Sequence, residues 1–326
     1  MVDPASVSLG TLLNEAQLVG HAMGSRISLT AVSTSIRRAE LVDLLGVGMD
    51  EFAAVDRECT RFDPSSSLMR ANRAGERWVE VDRRCAEALQ AAETAYTATG
   101  HRFDPRVHDD LVRLGYDRSR RFGPISPRWR DALSRRPALP DWQPEFDHAH
   151  GRVRIGPRAV DLGGIAKGYG VDQVASLLSR SVDGLLVEAG GDCWCGGVTA
   201  TGEPWRIAVE DPHGGPGPVA VLALTDRAVA TSSTRVCSWE VDGVEVHHLI
   251  DPRTGLPGGE GLAAVTVVAI GAMTAEVWSK VLFLEGVDGI AKAADDFGVP
   301  CLWVDTERRL HATADMSRYL IWRGDE

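Results

Sequence analysis

Glu276 and Lys280 stand four residues apart in MTAEVWSKVLFLEG (273–286), where Val277, Val281, Leu282 and Leu284 recur at helical spacing. On a helix, residues at i and i+4 share one face. On the protein surface such a pair adds only a few tenths of a kcal/mol to the helix. Facing a site, the same pair sets a carboxylate beside an ammonium and can act on a charged ligand. Three glycine-rich elements are the other places where chemistry could sit: DLGGIAKGYGVD (161–172), EAGGD (188–192) and HHLIDPRTG (247–255). Glycines ahead of a helix let backbone N–H groups approach a phosphate, and the helix dipole favours the anion. Lys167 lies inside the first element as a compact point charge suited to a diphosphate. Turn geometry alone also accounts for glycine runs. His248 and Asp251 fall where a strand passes into a loop beside Thr254 and a glycine turn, which makes either one a candidate base for a hydroxyl acceptor.

Several familiar frameworks are excluded. No G-x-G-x-x-G follows a strand, and no G-x-x-x-x-G-K-[ST] occurs, so neither a Rossmann nor a P-loop site is present. Cys193-Trp194-Cys195 is too closely spaced for a zinc CxxC pattern. The net charge of −11 argues against non-specific binding to nucleic acid or to an anionic membrane. Only Lys167, Lys280 and Lys292 are lysines among 35 basic residues, so each lysine in this arginine-rich chain is a position to inspect. The opening MVDPASVSLGTLLNEAQLVG has acidic residues, no basic n-region and no long apolar run, so it does not read as a secretory signal. The six cysteines are expected to be reduced thiols, and the expected compartment is the cytoplasm. No run of about 18 apolar residues predicts a membrane span.

The elements that must position these residues read as follows. GSRISLTAV alternates as a strand, and 36–58 and 80–98 read as amphipathic helices. Residues 123–146 hold five prolines and read as a surface excursion. GRVRIGPRAVDLG reads as two short strands around a Gly-Pro turn, and GIAKGYGVDQVASLLSRS as a helix. GLLVEAGGDCWCGG reads as a buried strand running into a glycine turn. Strands are expected at PWRIAVEDP, VAVLALTDRAVATSS, VEVHHLI and LAAVTVVAIG, then two helices and a strand-turn-strand finish. The 326 residues allow one large domain or two intimately packed lobes, and the mixture of elements predicts an α+β fold of antiparallel strands with helices packed on them.

Together these motifs resemble the ApbE family, the FAD:protein FMN transferases, from about Met23 to Phe283. HAMGSRISL (21–29), RFDPSSSLMRAN (61–72), TGHRFDP (99–105), DLGGIAKGYGVD, EAGGD, ATSST and HHLIDPRTGLP come in the family's order. Ser25, Ser67 and Glu188 depart from the family's usual Thr, Glu and Asn. The resemblance implies a T-fold-related α+β domain over 1–326, with largely antiparallel sheets and an FAD cleft between two lobes. It implies an enzyme that splits the FAD pyrophosphate, passes FMN to a Ser or Thr hydroxyl of a target protein and releases AMP. Met23, Phe62, Phe103, Asp104, Asp161, Lys167, Leu249, Ile250 and Thr254 would contact FAD, with Leu249 and Ile250 lining the flavin or adenine pocket. A Mg²⁺ ion is usual at the diphosphate. The family holds it with a backbone carbonyl, here at Gly164, and with an Asp and a Thr from a late helix. Glu276 falls on that Asp and Lys280 on that Thr. Two readings follow: Lys280 supplies part of the cation's charge, or it swings aside and the metal binds Glu276 and the Gly164 carbonyl. The competing functions are FAD pyrophosphatase, FMN transfer to a small molecule, and a flavin-binding protein without catalysis.

Overall fold

A computed structural model describes residues 14–117, 140–235, 237–241 and 244–324. Eight strands form an antiparallel sheet whose spatial order follows the chain. They are β1 (Asn14–Ala22), β2 (Ser25–Ser33), β3 (Gly184–Ala189), β4 (Asp192–Gly197), β5 (Arg227–Ser233), β6 (Leu262–Ala269), β7 (Cys301–Asp305) and β8 (Leu310–Ala312). The helices are α1 (Arg38–Cys59), α2 (Ser67–Ala74), α3 (Arg83–Ala98), α4 (His108–Arg113), α5 (Ala166–Leu178), α6 (Ala272–Leu284) and α7 (Gly286–Phe297). The architecture is α+β, as the pattern of elements predicts.

The two faces of the sheet follow from strand alternation. Ala228 and Ala230 of β5, with Val265 and Val267 of β6, join the core that includes residues of α1, α5 and α6. Val229 and Val268 point the other way, with Cys193 and Cys195 of β4, onto a small sheet made from Trp205–Glu210, Pro218–Leu224 and Leu320–Arg323. Asp192, one residue before Cys193, therefore faces the helices. On that face α5 packs against both α1 and α6. A further cluster around Leu68, Leu89, Phe103, Val153, Leu162 and Tyr169 joins α2 and α3 to the start of α5.

Two tight hairpins bring loops to the rim of the helix layer. Gly190 and Gly191 join β3 to β4 with φ of +61° and +94°, and Met23 and Gly24 join β1 to β2 with φ of +54° and +69°. Both are the two-residue turns in which each central residue needs positive φ. Met23 accepts a conformation that costs a non-glycine residue about 1 kcal/mol. Its N–H is held by Asp56 Oδ2 of α1 at 2.8 Å.

Some sequence expectations need correction. GRVRIGPRAVDLG supplies one strand, Arg152–Arg154, not two. In place of a ladder partner, Asn72 takes both backbone groups of Val160: the Val160 N–H donates to Oδ1 at 2.8 Å and Nδ2 donates to the carbonyl at 2.9 Å. DCWCGG is strand β4 rather than the end of a turn, because Gly190 and Gly191 alone complete the reversal. Of the Pro-rich segment, 123–139 lies outside the described residues. Its described end is mostly exposed, as expected, but Trp142 is buried there and its indole N–H donates to the Ile155 carbonyl at 2.9 Å. Helices α2 and α4 are additions that the sequence reading did not include. All six cysteines are free. Among the described residues, no helix is long and apolar enough to cross a membrane.

Candidate functional site

The α5–α6 contact sets the geometry of the site. A Cβ on Gly168 would come within 2.5 Å of Met273 Cα and 2.6 Å of its N, so only glycine allows the two backbones to approach this closely. Asp172, one turn further along α5, accepts the Ala272 and Met273 N–H groups at 2.7 and 3.0 Å. It thereby caps α6 from another helix, where the N-cap residue Gly271 has no side chain to offer. These two features put the first turn of α5 beside Glu276.

Glu276 is fully buried, so the surface ion pair that its spacing permits is not what forms. Its Oε2 accepts the Gly168 N–H at 2.7 Å, and its Oε1 lies 3.0 Å from Lys167 Nζ and 3.2 Å from Lys280 Nζ. Lys167 also pairs with Asp192 Oδ2, and Asp192 Oδ1 accepts the Thr231 N–H at 3.2 Å. The charges therefore alternate through the cluster, Asp192, Lys167, Glu276, Lys280, and cancel in sum. Burial pushes the Glu276 carboxyl up, but the two ammoniums and the Gly168 N–H outweigh it and hold it at about 2. Burial also pulls Lys280 below the usual lysine value, against the raising effect of Glu276. Lys280 and Phe103 both flank Gly164: a Cβ there would meet Lys280 Cδ and Phe103 Cε2, each at 3.3 Å. Gly164, Phe103, Lys167, Glu276 and Lys280 are thus brought together.

A divalent cation here would need hard oxygen ligands turned toward it. All four oxygens of Glu276 and Asp192 already accept from an ammonium or a backbone N–H. No group of three or more His, Cys, Asp or Glu side chains among the described residues is arranged to hold a metal. A dication about 4 Å from the Lys280 ammonium would meet a repulsion of about 8 kcal/mol at an effective dielectric constant of about 20. This donor set does not fit Mg²⁺.

His248 is drawn toward the same cluster. Burial, reinforced by the Lys280 charge, lowers its pKa to about 3, so the ring is neutral at pH 7. Its Nδ1 lies 3.2 Å from the Cys237 carbonyl. A carbonyl only accepts, so the proton sits on Nδ1 and Nε2 keeps its lone pair. The Cys237 thiol meets the Tyr116 hydroxyl, and Tyr116 packs 5.8 Å from Phe62 and 5.6 Å from Trp239, centroid to centroid. Arg61 lies over the Phe62 and Tyr116 rings at 4.3 and 4.4 Å. Its Nε is 2.6 Å from Asp161 Oδ2, in a contact too bent for a hydrogen bond, and the buried Arg61 Nη2 has no hydrogen-bond partner. Asp161 Oδ1 accepts the Gly163 N–H at 2.6 Å and folds the glycine turn ahead of α5.

The remaining candidates are placed differently. Both Asp251 oxygens are taken by Arg253, whose Nε lies 2.9 and 3.1 Å away. Arg253 in turn donates to the Leu284 carbonyl, at the end of α6 that lies eight residues, or about 12 Å, beyond Glu276. Thr254 is on the same turn, its N–H on the Asp251 carbonyl at 3.1 Å. Asp104 pairs with Arg106 at 2.8 Å. Leu249 and Ile250 are both buried, but in separate clusters, Ile250 with Trp239 and Leu114. Met23 reaches the site through its hairpin, its sulfur near Gly170 of α5.

Four residues that the geometry makes important were not singled out from the sequence: Asp192, Asp172, Gly168 and Arg61. Asp192 and Asp172 end two of the glycine-rich elements, Asp192 at the first residue of β4 and Asp172 one turn beyond Gly168 within α5, and that place was the available signal. Arg61 opens the motif RFDPSSSLMRAN (61–72), and that place beside Phe62 was its available signal.

The model of the ApbE family matches residues 23–303 of this chain. The FAD:protein FMN transferase of Treponema pallidum is 28% identical over 298 residues, covering 80% of this chain and 80% of that protein. That of Salmonella typhimurium is 30% identical over 280 residues, covering 82% of this chain and 78% of that protein. Among solved structures, the ApbE protein of Thermotoga maritima matches with a TM-score of 0.82 at 27% identity, over 94% of this chain and 99% of that one. The flavin transferase ApbE from Vibrio cholerae shares the fold with a TM-score of 0.79 at 24% identity, over 94% of this chain and all of that one.

Proposed function

The chain belongs to the ApbE family, and from that premise we propose how its site performs the family's reaction. Its activity is that of an FAD:protein FMN transferase: FAD is the substrate, the FMN half passes to an acceptor protein and AMP leaves. The acceptor group is a Ser or Thr hydroxyl. The whole chain works as one domain of two packed lobes, and its free thiols suit the reducing cytoplasm.

The observation that carries this reading is the convergence of Lys167, Lys280, Gly164 and Phe103 beside the start of α5. A diphosphate at this point meets two ammoniums, each with one N–H that no protein acceptor takes among the described residues. The Arg61–Phe62–Tyr116 wall offers flat surfaces for an aromatic ring, and Arg61 Nη2 offers a donor for one of its oxygens. Met23, near Gly170, Phe103, beside Gly164, and Asp161, paired with Arg61, contact the substrate in this reading.

His248 is the base. Its free Nε2 takes the acceptor's hydroxyl proton while the hydroxyl oxygen bonds to the FMN-side phosphorus. The bond from that phosphorus to the bridging oxygen breaks, and AMP departs with the electron pair. Asp251, held on both oxygens by Arg253, shapes the loop that carries His248.

The test is mass spectrometry of an acceptor peptide incubated with enzyme and FAD, with AMP followed in parallel. Equal amounts of flavinylated peptide and AMP are expected. His248→Ala should slow transfer about 10²- to 10⁴-fold while FAD affinity stays within twofold. Free FMN and AMP formed without acceptor would make the enzyme a pyrophosphatase instead, and tight FAD binding without AMP would make it a flavin carrier.

A further inference from the structure

We propose that the Lys280 ammonium, fixed by Glu276 beside Gly164, is the cation that neutralises the FAD diphosphate, so that FMN transfer proceeds without a divalent metal. The inference rests on the transferase reading above and adds to it the identity of the charge that drives the reaction.

Four observations carry it. The ammonium is oriented, because the Lys280 stem lies beside Gly164 and its head is held by Glu276 at 3.2 Å. It is available, since its acceptors among the described residues are the Glu276 carboxylate and the Glu276 backbone carbonyl, which leave one N–H for a ligand. It is buried enough for its charge to be weakly screened, with 16% of its side chain exposed. It also occupies ground that a metal would need, because the oxygens of Glu276 and Asp192 are already committed to Lys167, Lys280 and backbone N–H groups.

In phosphoryl transfer the protein's task is mainly to position the reactants and to stabilise charge that shifts toward the leaving group. When the acceptor oxygen bonds to the FMN-side phosphorus and the bridging P–O bond breaks, negative charge grows on the departing AMP phosphate. A fixed ammonium beside that oxygen stabilises the growth and needs no rearrangement. Lys167 contributes less, because it is shared between two carboxylates, whereas Lys280 has one.

The experiment uses the full chain, stripped of metal, with FAD and acceptor peptide, and measures AMP release and flavin fluorescence on FAD binding. With EDTA or with added Mg²⁺, the expected AMP rate and FAD affinity agree within twofold. Lys280→Ala should lower the EDTA rate about 10²- to 10³-fold, the range for loss of one preorganised charge partner. The double variant Glu276→Asp with Lys280→Thr keeps oxygen donors and removes the ammonium. Its FAD affinity should rise at least about tenfold on adding Mg²⁺, a dependence the parent lacks, and this binding readout holds even where turnover is low. AMP release that needs Mg²⁺ in the parent enzyme overturns the inference and leaves the transferase reading standing. No AMP with or without Mg²⁺ overturns both. Should Lys280→Ala fail to fold, the EDTA and Mg²⁺ arms of the parent protein decide alone.

Discussion

Two consecutive helices carry the same sequence device with opposite results. Glu276 and Lys280 on α6, and Lys292 and Asp296 on α7, are acid–lysine pairs four residues apart. The α7 pair is the shorter, 2.6 Å against 3.2 Å, yet its side chains are 78% and 55% exposed while those of Lys280 and Glu276 are 16% and 1% exposed. Distance is therefore a poor guide to what each pair does. In water the attraction is screened and nearly balanced by hydration; in the interior neither holds. Helix α6 lies against the sheet and against α5, so its polar face is enclosed. Helix α7 buries only one side, through Ile290, Ala293 and Ala294, and leaves Lys292 in solvent.

The comparison can be broken by mutation. The largest effect is expected from Glu276→Gln, which keeps the shape but leaves Lys167 and Lys280 buried with a single carboxylate between them. Removing one partner of a buried ion network costs about 3–5 kcal/mol, to be read from urea unfolding. The same carboxylate gives a pH signature. Its pKa is lowered from 4.5 in the unfolded chain to about 2 in the fold, so its stabilisation is complete above pH 4.5 and is lost as pH falls from 4.5 toward 2. Glu276→Gln should flatten that part of the stability curve. If the curve keeps its shape, Glu276 is not the group responsible.

Gly168→Ala comes next. The added methyl forces α5 from α6 and costs about 1–3 kcal/mol, and because it also moves Lys167 away from Glu276, FMN transfer should fall with stability. Asp172→Ala removes the remote cap on α6 and should cost about 1 kcal/mol in a thermal or urea midpoint. Lys292→Ala is the control from the exposed pair, expected within about 0.5 kcal/mol of the parent. A loss from Lys292→Ala as large as that from Glu276→Gln would show that burial does not distinguish the two pairs.

Much of the fold was legible because it rests on local regularities. Helices α1, α3, α5, α6 and α7 all appear near their expected places, since apolar periodicity is a property of neighbours in sequence. The second strand of GRVRIGPRAVDLG was misread because a distant side chain, Asn72, claims the backbone of Val160, and no local pattern announces this. At the site, motif order pointed to Lys167, Gly164, Phe103 and Glu276, which the fold does bring together. Asp251 and His248, three residues apart, could not be separated by sequence; Arg253 engages one and the Cys237 carbonyl orients the other.

By itself the sequence determined that this is an α+β chain of the ApbE family, with lysines so few that each stands out, and with an acid and a lysine at helical spacing near its end. Only the tertiary structure decided that the pair is buried and that Asp192 and Lys167 complete an alternating chain of charge with it. It also decided that the carboxylate oxygens are occupied rather than open to a metal. The physical reason is that spacing fixes which side chains share a helix face, whereas the dielectric around them and the partners they meet come from other elements. Here those elements are β4 and α5, which contribute Asp192, Lys167 and Gly168 from more than 80 residues away in the chain.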